Sequence, residues 1–170
     1  MLPLGSLGAF GGQGLQEIVV PGGTGTIIGT FTLGPPDAAG ASAAFDGDTD
    51  KSTTDSARTA NAATAFIGKD WGSGNDKLIV KAVYHGPNNS GVCETDTSTT
   101  FALQGSATGA WSGEEVELDN SGSVDKSANN STVTLTYAGS ASYRYHRVYC
   151  TGGNGSEKWC CEQLIFTELA

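Results

Sequence analysis

Basic side chains are scarce in this 170-residue chain: nine Lys and Arg stand against 18 Asp and Glu, for a formal net charge of −9. None of the nine precedes Lys51, and they nowhere form a stripe. That argues against backbone-driven nucleic-acid binding and against an anionic membrane surface. Long segments with the helical spacing of Leu, Ala, Glu and Lys are missing, which argues against a helical bundle. No apolar run is long enough to cross a membrane. The N-terminal MLPLGSLGAFGGQGLQEIVV lacks a basic start and is interrupted by Gly, so no signal peptide is expected. The sequons at Asn88, Asn129, Asn130 and Asn154 then read as Asn-rich turns. Histidine occurs twice, at His85 and His146, and Cys160 and Cys161 are adjacent, which is not the spacing of a zinc site. A nucleophile elbow and a phosphate-cradling loop are also missing, so no enzyme is expected. Glu114, Glu115 and Glu117 read as a solvated strand face.

What is present is Gly, Ser and Thr: 25, 16 and 19 residues, or 60 of 170. Apolar residues still reach 38%, enough to bury one core. This composition suits short strands joined by many turns. KLIVKAVY (77 to 84) reads as a core strand, with Leu78, Val80, Ala82 and Tyr84 on one face and Lys77, Ile79, Lys81 and Val83 on the other. STVTLTY (131 to 137) alternates more cleanly, with Val133, Leu135 and Tyr137 inward. Further strands are expected at 15 to 20, 24 to 33, 64 to 68, 100 to 105, 115 to 118, 143 to 149 and 162 to 166. DAAGASAAF is the best helical segment, at most a turn or two because Gly40 weakens it. The expected fold is an all-β antiparallel sandwich or jelly roll with about eight short strands and little helix. A Gly-rich leader and two strands (1 to 33), suited to anchoring or oligomerisation, precede a jelly-roll domain at 34 to 170.

Three sets of side chains could carry chemistry. In AFDGDTDKST (44 to 53), Asp46, Asp48 and Asp50 alternate around Gly47. Such carboxylates either converge on a hard cation such as calcium or accept bonds from their own backbone in Asx turns. Cys150 is separated from Cys160 and Cys161 by a plausible hairpin loop, so a disulfide from Cys150 to one of them competes with buried thiols. Cys93 lies in the turn-rich HGPNNSGVCET, where an exposed thiol could pair between subunits. Trp71, Trp111 and Trp159, and Tyr143, Tyr145 and Tyr149, are either sugar-stacking surfaces or core.

Taken in order, AFDGD, AFIGKDWGSGNDKLIVKAVYHGPNNSG, FALQGSATGAWSGEEVEL, YRYHRVYC and CCEQLIF resemble the discoidin domain, the factor V and VIII C-terminal type of the galactose-binding-like jelly rolls. The resemblance spans about residues 40 to 168. It implies a calcium site at Asp46, Asp48 and Glu162, with Lys51 in a position to take the cation's place. It also implies a sugar site in loops at one end of the sandwich, here with His85, Asn88, Asn89 and Trp159, while Trp71 and Trp111 belong to the core. The AFDG turn and the missing signal peptide are similar to versions of the domain on tailed-phage virion proteins. The implied function is a non-enzymatic virion fibre, tail-tip or capsid-decoration protein, made in the host cytoplasm. It would be a homo-oligomer that contacts other virion proteins and host glycan, with no nucleic acid and no membrane insertion. The alternative is a free bacterial carbohydrate-binding module or lectin.

Overall fold

The computed structural model describes residues 15–34, 36–50, 55–86, 99–124 and 131–170. Among the described residues are eleven short strands: β1 (Glu17–Val19), β2 (Thr26–Gly29), β3 (Ala57–Asn61), β4 (Ala65–Asp70), β5 (Ile79–His85), β6 (Thr99–Ser106), β7 (Val116–Val124), β8 (Thr132–Thr136), β9 (Tyr145–Thr151), β10 (Lys158–Cys161) and β11 (Gln163–Leu169). One sheet runs β1-β11-β5-β8, a second runs β2-β4-β9-β6-β7, and β10 and β3 form a two-stranded ribbon. Every strand pairing is antiparallel. The all-β sandwich expected from composition is therefore observed. The segment DAAGASAAF supplies one 3-10 turn at Ala41–Phe45, entered through Gly40 at φ 87°. The strands β1 and β2 each add an edge to one sheet, so residues 17–29 share the sandwich with the chain after residue 34.

In β8 the alternation follows the sequence, with Val133 and Leu135 buried between exposed Thr132, Thr134 and Thr136. In β5 it does not. Ile79, Ala82 and Tyr84 point inward, while Val80 and Lys81 are half-exposed. The cause is a bulge: Lys81 pairs with Thr167 and Ile79 with Glu168, so Val80 is left over. One unpaired residue reverses the phase of the strand, which turns Ile79 rather than Leu78 toward the core. The strands β3 (ARTAN) and β10 (KWCC) escape a propensity reading because neither carries a β-branched run. They are made by tertiary bonds: Thr59 Oγ1 accepts from the Trp159 amide at 3.0 Å, and Trp159 Nε1 donates to the Ala62 carbonyl at 3.0 Å.

The core lies between the sheets. Ile79, Ala82, Tyr84, Leu135, Leu164 and Phe166 face Ile67, Phe101, Leu103, Val148 and Cys150, and Ala57, Trp159 and Cys161 of the ribbon close one side. Rings interlock through it: Tyr84 and Phe101 at 4.9 Å, Phe101 and Trp159 at 5.9 Å, Trp71 and Phe166 at 5.6 Å. Gly68 permits a close backbone approach between β4 and β9, since a Cβ there would sit 2.1 Å from the His146 carbonyl oxygen. Asp70 takes Arg144 in a two-bond fork, both at 2.8 Å, and this pairing holds its carboxyl below the usual range.

His146 is fully buried on the inner face of β9, and its Nδ1 accepts from Trp71 Nε1 at 2.9 Å. Nε2 must therefore carry the proton, and it has no acceptor among the described residues. Burial pushes the imidazole pKa down to about 3. The folded state stays neutral while the unfolded state binds a proton below about pH 6.5, so stability falls as pH drops from there toward 3. The loss attributable to this residue is at most about 5 kcal/mol. Chemical denaturation between pH 7 and 4 should show this slope. His146→Gln, which keeps an acceptor for Trp71 but does not titrate, should flatten it. An unchanged slope would contradict the assignment.

Candidate functional site at the loop end of the sandwich

His85 ends β5, in register between Gln163 of β11 and Thr132 of β8. Its Nδ1 lies 3.2 Å from Thr132 Oγ1, and its carbonyl accepts from the Glu162 amide at 2.8 Å. Partial burial lowers the imidazole pKa, so the ring is neutral near pH 7 and offers one donor and one acceptor nitrogen. Nε2 has no partner among the described residues. Directly beyond, the Gly86 amide bonds the Ser131 carbonyl at 2.9 Å and closes the neck between the ends of β5 and β8.

The ribbon brings a second polar group to this end. On β3, Ala57 belongs to the core, and alternation turns Arg58 to the other face. There Arg58 sits opposite Cys160, two residues from the Glu162 amide that bonds His85. Arg58 is only 4% exposed, and its Nε has no acceptor among the described residues. The chain's other two arginines are satisfied: Arg144 by Asp70, and Arg147 Nε by Gln104 Oε1 at 2.7 Å. A guanidinium Nε–H withdrawn from water without an acceptor is costly unless something supplies one. Arg58 was not singled out in the sequence. Its signal was an arginine in an otherwise small, uncharged stretch, and the pairing of β3 with β10 that gives it meaning was not legible.

Of the residues expected at the site, His85 is at the loop end, while Asn88 and Asn89 lie outside the described residues, as do Lys51 and Cys93. Trp159 is not a stacking surface: it is 1% exposed and set edge-on to Phe101. Its place in the core follows from the ribbon, which folds its face under the sheet. Trp71, 5% exposed, is core as expected. Trp111, also expected in the core, is half-exposed on the outer face of the second sheet, because the β6–β7 loop folds back over that face.

The Asp-rich turn is organised by its own backbone. Asp46 Oδ1 accepts from the Asp48 amide at 3.1 Å, and Asp48 Oδ1 from the Asp50 amide at 3.0 Å. The closing strand reaches it through Gln163, whose Oε1 accepts from the Gly47 amide at 3.0 Å. Among the described residues no three His, Cys, Asp or Glu side chains are grouped to share a metal ion. Of the two alternatives open for the hairpin cysteines, buried thiols hold for Cys150 and Cys161. Cys160 is disulfide-bonded, whereas Cys150 and Cys161 are buried thiols, so neither is joined to the other or to Cys160. Glu114 and Glu115 are not idle surface charges either, since each accepts an amide within the β6–β7 loop.

No family model matches the chain, and no curated protein is similar to it at a significant level. Solved structures are similar in fold. CpGH89CBM32-5 from Clostridium perfringens, in complex with GalNAc-β-1,3-galactose, superposes with a TM-score of 0.64 at 19% identity, over 88% of this chain and 99% of that one. The family 32 carbohydrate-binding module of C. perfringens NanJ, in complex with galactose, gives 0.62 at 18% identity, over 90% and 100%. A fucolectin from the serum of Morone saxatilis (striped bass) gives 0.62 at 12% identity, over 85% of this chain and 46% of that one. The fold is thus the galactose-binding-like, discoidin-type β-sandwich found in carbohydrate-binding modules and lectins.

A turn closed by its own backbone predicts a simple thermal result. Asp46→Ala should cost about 1 kcal/mol, the net worth of one hydrogen bond, equally in calcium and in excess EDTA. The wild-type melting curves in the two buffers should coincide. A higher melting temperature in calcium, abolished by Asp46→Ala, would show instead that the turn holds an ion.

Proposed function

We propose that this protein is a non-catalytic glycan-binding module whose ligand sits at the loop end, with His85 and Arg58 as its polar contacts. The observation that carries this reading is that two polar groups here lack a partner among the described residues: Nε2 of a neutral imidazole and Nε of a buried guanidinium. Vicinal sugar hydroxyls both donate and accept, so they suit His85, while their lone pairs or a ring oxygen would serve Arg58. The fold supports the same reading, since galactose and GalNAc-β-1,3-galactose are bound by proteins that share it. These likenesses favour the free carbohydrate-binding module over the virion adhesin, which rests on the sequence resemblance alone. Single protein–sugar contacts are weak, so useful attachment would require several linked copies. Oligomerisation through the N-terminal segment, on a virion or otherwise, would provide them.

Isothermal titration with galactose and with GalNAc-β-1,3-galactose tests the proposal. Binding of at least one is expected, with a Kd of roughly 0.1–1 mM. His85→Ala should weaken it about tenfold, the loss of roughly one hydrogen bond. Arg58→Lys, which keeps the charge but not the planar fork, should also weaken it. Both variants should melt as a folded domain. Undiminished binding in both would remove these residues from the site.

A further inference from the structure

We infer that the outer face of the second sheet is a separate binding surface for a neutral polysaccharide chain. Side chains on the outer face of β4 and β9 lie in rows across the strands. Phe66 pairs in register with Tyr149, and Gly68 with Arg147. Because Gly68 has no side chain, Arg147 packs directly on the β4 backbone, where a Cβ would lie 2.6 Å from the Arg147 Cα. The β6–β7 loop folds over this face and lays Trp111 on the guanidinium, with Cζ 3.9 Å from the ring centroid. Phe66 and Tyr149 flank the same guanidinium at 4.8 Å each, and Phe66 and Trp111 are 6.4 Å apart. All three rings are half-exposed, so each has surface left for a ligand.

This surface is built, and not merely left uncovered. Trp111 sits at φ 51°, the one non-glycine residue with positive φ among the described residues. A bulky side chain in that region is strained, and strain of this kind is kept only where the surroundings enforce it. Here Glu114 Oε1 accepts the Trp111 amide at 3.2 Å and the Ser106 hydroxyl at 2.5 Å. Ser106 Oγ in turn accepts the Gly109 amide at 2.7 Å. The loop therefore holds the indole in place before any ligand arrives, so little side-chain freedom is lost on binding.

The chemistry selects the ligand class. Aromatic faces stack on the C–H faces of pyranose rings, and rings on neighbouring strands offer successive platforms to an extended chain. Arg147 is 6% exposed and spends only Nε on Gln104 Oε1, which leaves its terminal N–H groups and the Gln104 carboxamide N–H groups as donors to hydroxyls. Glu114 and Glu115 lie close enough to act on the Arg147 charge and offset it. One cation faces two carboxylates here, which disfavours an anionic ligand and leaves a neutral chain as the class that fits.

Native gels cast with galactomannan, xyloglucan or hydroxyethylcellulose test this. At least one polymer should retard the wild-type protein relative to a non-binding standard and shift its tryptophan emission. Trp71 and Trp159 are buried, so that shift belongs to Trp111. Tyr149→Ala and Phe66→Ala should each weaken retardation roughly five- to tenfold. Trp111→Phe should fold and lose the emission change, and retardation by hydroxyethylcellulose, which carries no galactose, should persist when free galactose is added to fill the loop end. No retardation by any of the three polymers overturns the inference. Retardation kept in the Tyr149 and Phe66 variants but lost in free galactose also overturns it, and assigns the polymer to the loop end.

Discussion

The structure depends on one joint, residues 159 to 163, where the ribbon becomes the first sheet. Trp159 fills the core against Phe101 and is tied to β3 through Thr59 and Ala62. The next carbonyl, that of Cys160, accepts the buried Tyr84 hydroxyl at 2.5 Å. Glu162 bonds the backbone of His85, and Gln163 reaches the Asp-rich turn at Gly47. Five consecutive residues thus fix β3, β5 and the first turn relative to one another. The loop end inherits its geometry from this joint, since both His85 and Arg58 are placed by bonds to it.

The three arginines show how one residue type takes three roles in the same fold. Arg144 meets Asp70 in a fork and closes the end of the sandwich near the chain's last strand. Arg147 lies under Trp111 and makes a polar seam in an aromatic face. Arg58, at 4% exposure the most buried of the three, has an Nε without an acceptor among the described residues. In a chain of net charge −9, these cations are few and individually placed. Two of them, Arg58 and Arg147, keep N–H donors that no protein acceptor takes up among the described residues.

The sandwich was legible because Thr- and Val-rich alternation, as in β8, depends only on period and burial. The phase of β5 was not, since one bulged residue, Val80, reverses it and bulges leave no mark in composition. The ribbon was invisible for a related reason: ARTAN and KWCC are strands only because they pair with each other. Missing the ribbon displaced Trp159 from the core to a supposed binding loop, and it hid Arg58 altogether. His85 was found because a histidine at the end of a strong strand stands out in a chain with only two. The turn chemistry of Asp46 and Asp48 was readable as one of two alternatives, and the backbone bonds now account for the spacing.

The central claim is that the loop end, built around His85 and Arg58, receives a glycan. Two-dimensional NMR of the labelled protein titrated with galactose or GalNAc-β-1,3-galactose addresses it most directly. The account predicts that the amides of His85, Gly86, Ser131 and Thr132 move together with the Arg58 Nε–H resonance, which gains its first acceptor. Amides at the opposite end, around Lys77 and Tyr143, should stay where they are. A titration in which the Arg58 side chain and the His85 amide do not move, at sugar concentrations that shift other residues, would contradict it.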